Sequence, residues 1–172
     1  VMDKWLLSKM NSMVRDADKN LSNYRIPETA AVFQEFVEDM SNWYVRRCRN
    51  RFWAKGMEQD KINAYMTLYT ALVTLAKAAA PMIPFMSEQI YQNLVRTVDA
   101  SATESVHLSD YPVADEAHID AELEKSMDEV LKIVVLGRSA REASGRKNRQ
   151  PLSKLYVKAP ETLGGFYQDI IR

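Results

Sequence analysis

Apolar residues recur at steps of three and four through most of the 172 positions, the period of a helix with one buried face. Trp5, Leu6, Met10, Met13, Val14, Ala17 and Leu21 predict a first helix over 2–20. Ser22, Asn23 and Tyr24 form a turn, after which Ile26 and Pro27 read as a staple residue and a first-turn proline opening a second helix. Its stripe runs through Phe33, Phe36, Val37, Met40, Trp43 and Tyr44. One unbroken helix is expected from 27 to 53, roughly 40 Å long at 1.5 Å per residue, with Gly56 placed to end it. Asp60 is the expected cap of a third helix over 61–79. Its stripe of Tyr65, Met66, Leu68, Tyr69, Leu72, Val73, Leu75 and Ala76 is broad enough for a central position. A greasy turn at 81–85 follows, and Ser87 is the expected cap of a fourth helix that carries Ile90, Tyr91 and Leu94 inward.

The period breaks over 97–118. This stretch reads as an acidic belt wrapped over the helices, with Val106, His107 and Leu108 too few for a strand. A fifth helix is expected from Asp120 through Leu123, Met127, Val130, Leu131 and Val134 to about 141. A basic loop follows over 144–150. Residues 152–158 alternate as a strand does, with Leu155 and Val157 on one side and Tyr156 on the other, ahead of a short helix from Phe166. The fold expected is therefore mainly all-α: an antiparallel bundle of about five helices over 1–143, then a small, truncated mixed α/β appendage over 144–172. Five glycines and six prolines argue against a turn-rich β fold. No apolar run reaches membrane-span length. Val1 opens inside an amphipathic pattern and Arg172 closes inside one, as expected of a piece of a longer protein.

Charge sharpens the picture. The formal net charge is zero, which excludes global attraction to nucleic acid. Its distribution is uneven: net +4 over 46–61, net −9 over 99–129 and net +6 over 138–158. The single cysteine, Cys48, excludes an intrachain disulfide and points to a reducing compartment; its place near the core face makes it a small buried thiol. No glycine-rich phosphate loop, paired-cysteine zinc spacing or His-Glu metal helix is present. His107 and His118 read as loop histidines. Asp115, Glu116, Asp120, Glu122 and Glu124 lack the alternating ligand spacing of a calcium loop and read as a solvated surface. No nucleophile stands with a base and an orienting group, so neither catalysis nor a metal site is expected of this chain.

The stretch SNWYVRRCRNRFW, 41–53, is the densest chemistry in the chain. Arg46, Arg47, Arg49 and Arg51 occupy four of six positions, flanked by Trp43, Tyr44, Phe52 and Trp53. Cations supply phosphate contacts, and flat rings supply faces for unstacked bases. At about 100° per residue, Asn42, Arg46, Arg49 and Trp53 face solvent. Arg47 and Arg51 fall in line with the core face, where unpaired charge is costly. Trp43 and Tyr44 lie on the core stripe, so both packing and stacking are open to them.

With Ser41 and Asn42, this helix resembles the signature helix of the isoleucyl-tRNA synthetases in their anticodon-binding region. Asp3 to Lys9 (DKWLLSK) resembles the opening helix of that region. Ala80 to Tyr91 (APMIPFMSEQIY) resembles the turn and helix shared by the synthetases for branched aliphatic amino acids. Ser105-Val106-His107-Leu108 with Tyr111-Pro112, Leu136-Gly137-Arg138, and Arg149-Gln150-Pro151-Leu152 resemble downstream segments. The resemblance implies the helical anticodon-binding domain of a class Ia aminoacyl-tRNA synthetase, receiving the anticodon stem-loop of tRNA(Ile). It implies a cytoplasmic, monomeric parent whose ATP, magnesium, amino-acid activation and editing belong to catalytic and editing domains outside this chain; the HIGH and KMSKS motifs are absent from it. Under that reading Trp53 and Trp43 are stacking platforms, Asn42 and Arg46 read base edges, and Arg47, Arg49, Arg51 and Lys55 hold phosphates. Arg141, Arg146, Lys147 and Arg149 extend the track along the stem.

A valyl- or leucyl-type relative also fits the proline-rich turn, and a helical protein-interaction module or an enzyme domain with scattered site residues are the readings from other classes. Interleaved arginine and tryptophan favour RNA. Arg46→Ala combined with Arg49→Ala is expected to weaken binding of an isoleucine anticodon stem-loop in a filter-binding assay while leaving the helical circular dichroism intact. Unchanged affinity would take this helix out of the site.

Overall fold

The computed structural model describes residues 1–147, 150–158, 164, 165, 167 and 170. The chain divides into two compact units, Val1–Asp120 and Ala121–Arg172, a boundary just ahead of the last long helix, whereas composition places a change of character after residue 143.

The first unit is built on three long helical stretches. Helix α1, Met2–Ser22, buries Trp5, Leu6, Met10, Met13, Val14 and Ala17 along one face. Its C-terminal turn needs Tyr24 in the left-handed region, φ 57°, with the ring in solvent. Helix α2, Ile26–Glu38, begins with Pro27 in its first turn, where no backbone donor is wasted. Arg25 is its N-cap, so Ile26 lies inside the helix and is half exposed.

The second helix does not continue unbroken to 53. Over Asp39–Val45 the backbone winds as a π-helix, and after a turn at Cys48 only Arg49–Phe52 (α3) remains helical. The reason is in the spacing of the core. Phe36, Met40, Tyr44, Cys48 and Phe52 are all buried, each four residues after the last. In an α-helix a four-residue step overshoots a full turn by about 40°, so four such steps would carry Phe52 about 160° away from Phe36. The i→i+5 pattern places more residues in each turn and takes back much of that rotation, keeping the row on one face. Gly56, φ 77°, lies in the connection that follows.

Helix α4, Gln59–Ala79, returns through the middle of the unit. It buries Ala64, Ala71, Ala76, Ala78 and Ala79, whose small side chains let neighbouring backbones come close. Tyr65 and Met66, expected on its apolar face, are about half exposed. Asp60 is not its cap: the helix begins two residues earlier than expected, after Glu58, and Asp60 sits in the first turn facing an arginine. Helix α5, Pro84–Tyr91, also starts ahead of its expected cap. Pro84 opens it, and Ser87 is fully buried within it. A second π-segment, Gln92–Arg96, follows.

Pairing order makes the packing antiparallel. On α1 against the second stretch, Lys9 meets Glu35 and Asp39 while Asp3 meets Tyr44 and Arg51. The acidic belt is fastened by specific bonds. The Glu88 carboxylate accepts from Ser105 Oγ at 2.8 Å and from the Val106 amide at 2.9 Å. Tyr91 Oη bonds Thr103 Oγ1 at 2.6 Å, and Arg96 donates to the carbonyls of Ala100 and Ala102. On α1, Asn11 Oδ1 accepts the Asp115 amide and Ser8 Oγ the Asp120 amide, which seats the end of the belt. Val106–Leu108 and Glu116–His118 are single 3₁₀ turns.

In the second unit, helix α6, Ala121–Ala143, buries Leu123, Met127, Val130 and Ile133, and Gly145, φ 66°, follows its end. The expected strand over 152–158 does not form, and no strand occurs among the described residues. Leu152, Leu155, Tyr156 and Val157 are exposed: a single extended segment has no ladder to satisfy its backbone and no sheet to cover its alternate faces. The mixed α/β appendage is thereby corrected to irregular chain over 150–158; the short helix from Phe166 falls largely outside the described residues. No described helix is long and apolar enough to cross a membrane.

Phe36 is 2% exposed and Phe85 91%. Phe36→Ala is expected to lower unfolding stability by about 3–5 kcal/mol in a urea titration. Phe85→Ala should stay within about 0.5 kcal/mol of the parent.

Candidate nucleic-acid interface

The end of the second helical stretch has an inner and an outer face. Tyr44, Cys48 and Phe52 form the inner face. The Phe52 ring packs edge-on against Tyr44 and Tyr65, with centroids 6.1 and 5.2 Å away. Tyr44, without solvent exposure, donates its hydroxyl to Asp3 Oδ1 at 2.6 Å, with the Ala64 carbonyl at 3.3 Å.

Arg51 joins the two faces. Its Nη1 and Nη2 donate to Asp3 Oδ1 and Oδ2, both at 2.7 Å, and its Nε donates to Asp60 Oδ2 at 2.8 Å. Nη2 also reaches the Asp60 carbonyl at 3.2 Å. Such two-pronged guanidinium–carboxylate bonds are among the strongest and most directional in proteins. They answer the question the helical projection raised for Arg51, whose charge is directed toward the core but fully met by carboxylates.

The outer face carries Ser41 and Asn42 on the π-segment, then Arg46, Arg47, Arg49, Trp53 and Lys55, all exposed. Arg49 lays its guanidinium over the Trp53 indole, 3.8 Å from the ring centroid, and Trp53 is 69% exposed. A cation resting on a tryptophan face leaves the other face of the ring free to solvent and holds the positive charge beside it. Trp43 is half-buried. The structure thus brings Asn42, Arg46, Arg47, Arg49, Trp53 and Lys55 to one helix end, and turns Arg51 inward.

The remaining basic residues belong to the second unit. Arg141 donates to the carbonyls of Lys147 and Gln150, at 3.2 and 2.7 Å, closing the loop after α6. Arg146 and Lys147 are exposed, and Arg149 lies outside the described residues. The apolar groove lined by Phe33, Val37, Leu75, Ala79 and Ile83 includes none of these cations. Among the described residues no three His, Cys, Asp or Glu side chains converge. His118 instead pairs with Asp115 at 2.7 Å.

Reading along the chain missed Asp3 and Asp60 as partners of Arg51. The available signal was the arginine placed on an apolar face, which demands a carboxylate; nothing in local spacing says which one.

Arginine and an exposed indole ring thus share one end of a helix in a mainly helical chain. Residues 3–156 match the family described as the anticodon-binding domain of tRNA ligase, and the chain belongs to that family. It is similar along its whole 172 residues to the isoleucine–tRNA ligase of Clostridium novyi, at 52% identity and covering 16% of that protein. The isoleucine–tRNA ligases of Thermus thermophilus (48% identity over 94% of this chain, 16% of that protein) and Methanothrix thermoacetophila (43% over 94%, 15% of that protein) are also similar. The chain therefore spans about a sixth of the length of these relatives.

Electrostatics make the inner face sensitive to acid. Burial by itself raises the Asp3 carboxyl, but the Arg51 and Tyr44 hydrogen bonds and the Arg51 charge outweigh it and hold the group below its ordinary 3.8. Burial and the bond to Asp3 push the Tyr44 phenol far up, so it remains a donor, and burial raises the Cys48 thiol, which stays protonated and inert. A carboxyl depressed in the folded state stabilises it above the unfolded value, and that contribution vanishes as pH falls through the folded one. The stability gap between the parent chain and Asp3→Asn, measured by urea titration, should be full at pH near 6 and close as pH drops below about 4. A constant gap would mean that the charge is not what Asp3 contributes.

Proposed function

We propose that this chain is the anticodon stem-loop receptor of an isoleucine–tRNA ligase and positions tRNA(Ile) for a catalytic domain outside the chain. The observation that carries it is the Arg49–Trp53 stack, exposed at a helix end among further arginines, in a chain of this family. RNA loops present splayed bases that stack on aromatic or guanidinium planes and are read at their edges. Trp53 offers its open face to a base. Asn42, on the widened backbone of the π-segment, and Arg46 meet base edges. Arg47, Arg49 and Lys55 hold phosphates. Arg51 leaves the phosphate set, because its donors are committed to Asp3 and Asp60. Trp43, partly buried, is the second stacking platform. Arg141, Arg146, Lys147 and Arg149 extend the track along the stem. ATP, magnesium, amino-acid activation and editing belong to the rest of such a ligase, which works in the cytoplasm as a monomer.

Binding of an isoleucine anticodon stem-loop should be strongly salt-dependent. With about six phosphate contacts, affinity should fall roughly a thousandfold between about 50 and 200 mM salt. In a variant retaining Trp53 as its sole tryptophan, fluorescence should change on adding the hairpin. Salt-insensitive binding without a fluorescence response would overturn the reading, and equal affinity for valine and leucine hairpins would remove its isoleucine specificity.

A further inference from the structure

Helix α3 has four residues, too few to hold itself: a single helical turn fixes several torsions for one hydrogen bond. Yet Arg49 opens this turn and Trp53 directly follows it. What fixes their pose lies elsewhere in the sequence. Lys9 Nζ bonds Asp39 Oδ2 and Glu35 Oε1, both at 3.1 Å, at the entry of the π-segment. Asp3 takes the Tyr44 hydroxyl near its exit and the Arg51 fork in α3. Asp3 and Lys9 stand about 9 Å apart along α1, at 1.5 Å per residue. A regular helix thus grips an irregular one near both ends, and Arg51 lies two residues from Arg49 on one side and from Trp53 on the other.

We infer that Asp3, acting through Arg51, is a positioning residue for RNA recognition: the α1 clamp sets the pose of the Arg49–Trp53 stack without touching RNA. The inference rests on the RNA reading above. It separates from the alternative that Arg51 is a phosphate ligand because the two predict opposite signs. Removing the Asp3 charge loosens a positioned tip and weakens binding; if Arg51 met phosphate, the same change would release a cation and tighten it.

The test uses the 172-residue chain with an isoleucine anticodon stem-loop RNA as probe. Affinity is measured across a salt series, and amide hydrogen exchange is followed over 46–53 and, as an internal control, over 84–91. Asp3→Asn should weaken binding about tenfold with the salt slope unchanged, and exchange should quicken over 46–53 but not over 84–91. Arg49→Ala should flatten the slope by roughly 0.7–0.9, the share of one lost phosphate contact, and leave exchange alone. Asp60→Asn, which removes only the more exposed carboxylate, should reproduce the Asp3→Asn signs at smaller size and decides the matter if Asp3→Asn quickens exchange everywhere. Tighter binding by Asp3→Asn, or a flatter slope in Arg51→Gln, overturns the inference in favour of a phosphate contact. Unchanged exchange and affinity in both carboxylate variants overturns the clamp while the RNA reading stands. A parent chain that ignores the hairpin overturns the RNA reading, and exchange over 46–53 still reports whether Asp3 holds the turn.

Discussion

The two-pronged bond between Asp3 and Arg51 is the constraint on which the packing of the first unit's arginine-rich end depends. It ties the first turn of the chain to its arginine-rich segment, 48 residues away in sequence. It also resolves an electrostatic problem. Arg51 is partly buried beside Cys48, and a guanidinium there is tolerated only when its charge and donors are met. Asp3 and Asp60 meet them from two different helices, so one side chain fixes α3 against both α1 and α4. The neighbouring Arg46, Arg47 and Arg49 are exposed.

The π-segment is the second half of the same design. A core row spaced strictly by four cannot follow an α-helix for long, because each step gains about 40°. Widening the backbone over Asp39–Val45 keeps Tyr44, Cys48 and Phe52 inside and so determines which residues face out. Lys9, paired with Asp39 where the widening starts, and Asp3, bonded to Tyr44 near where it ends, brace it. Departures of this kind from regular helix are common where a helix presents side chains to something else.

Most of the architecture was legible in the chain because burial on a helix follows a repeating period. The first, third and fifth helices lie within a few residues of where the apolar stripes put them, and Pro27 marks the start of the second. The misplaced caps have separate causes. Asp60 is a good capping residue by type but faces Arg51, whereas Ser87 lies buried inside α5 with its hydroxyl unpartnered because Pro84 opens that helix three residues earlier. The strand over 152–158 was read from alternation alone, and alternation does not supply the second strand that backbone hydrogen bonding needs. At the interface, the cations and the exposed ring could be named from composition; the inward turn of Arg51 could be suspected but not assigned a partner.

What the sequence by itself determined is the inventory: helices from apolar period, a cation-and-indole cluster at 41–53, and the family to which those residues belong. What only the tertiary structure decided is the division of labour within that cluster. Helical phase past residue 39 depends on whether the backbone winds by four or by five, and core packing against α1 and α4 makes that choice. The pairing of Arg51 depends on carboxylates that chain folding alone brings within 3 Å. Local pattern carries no information about charges 48 positions apart, so the arginine that looks like its neighbours in the sequence is the one bound between two carboxylates.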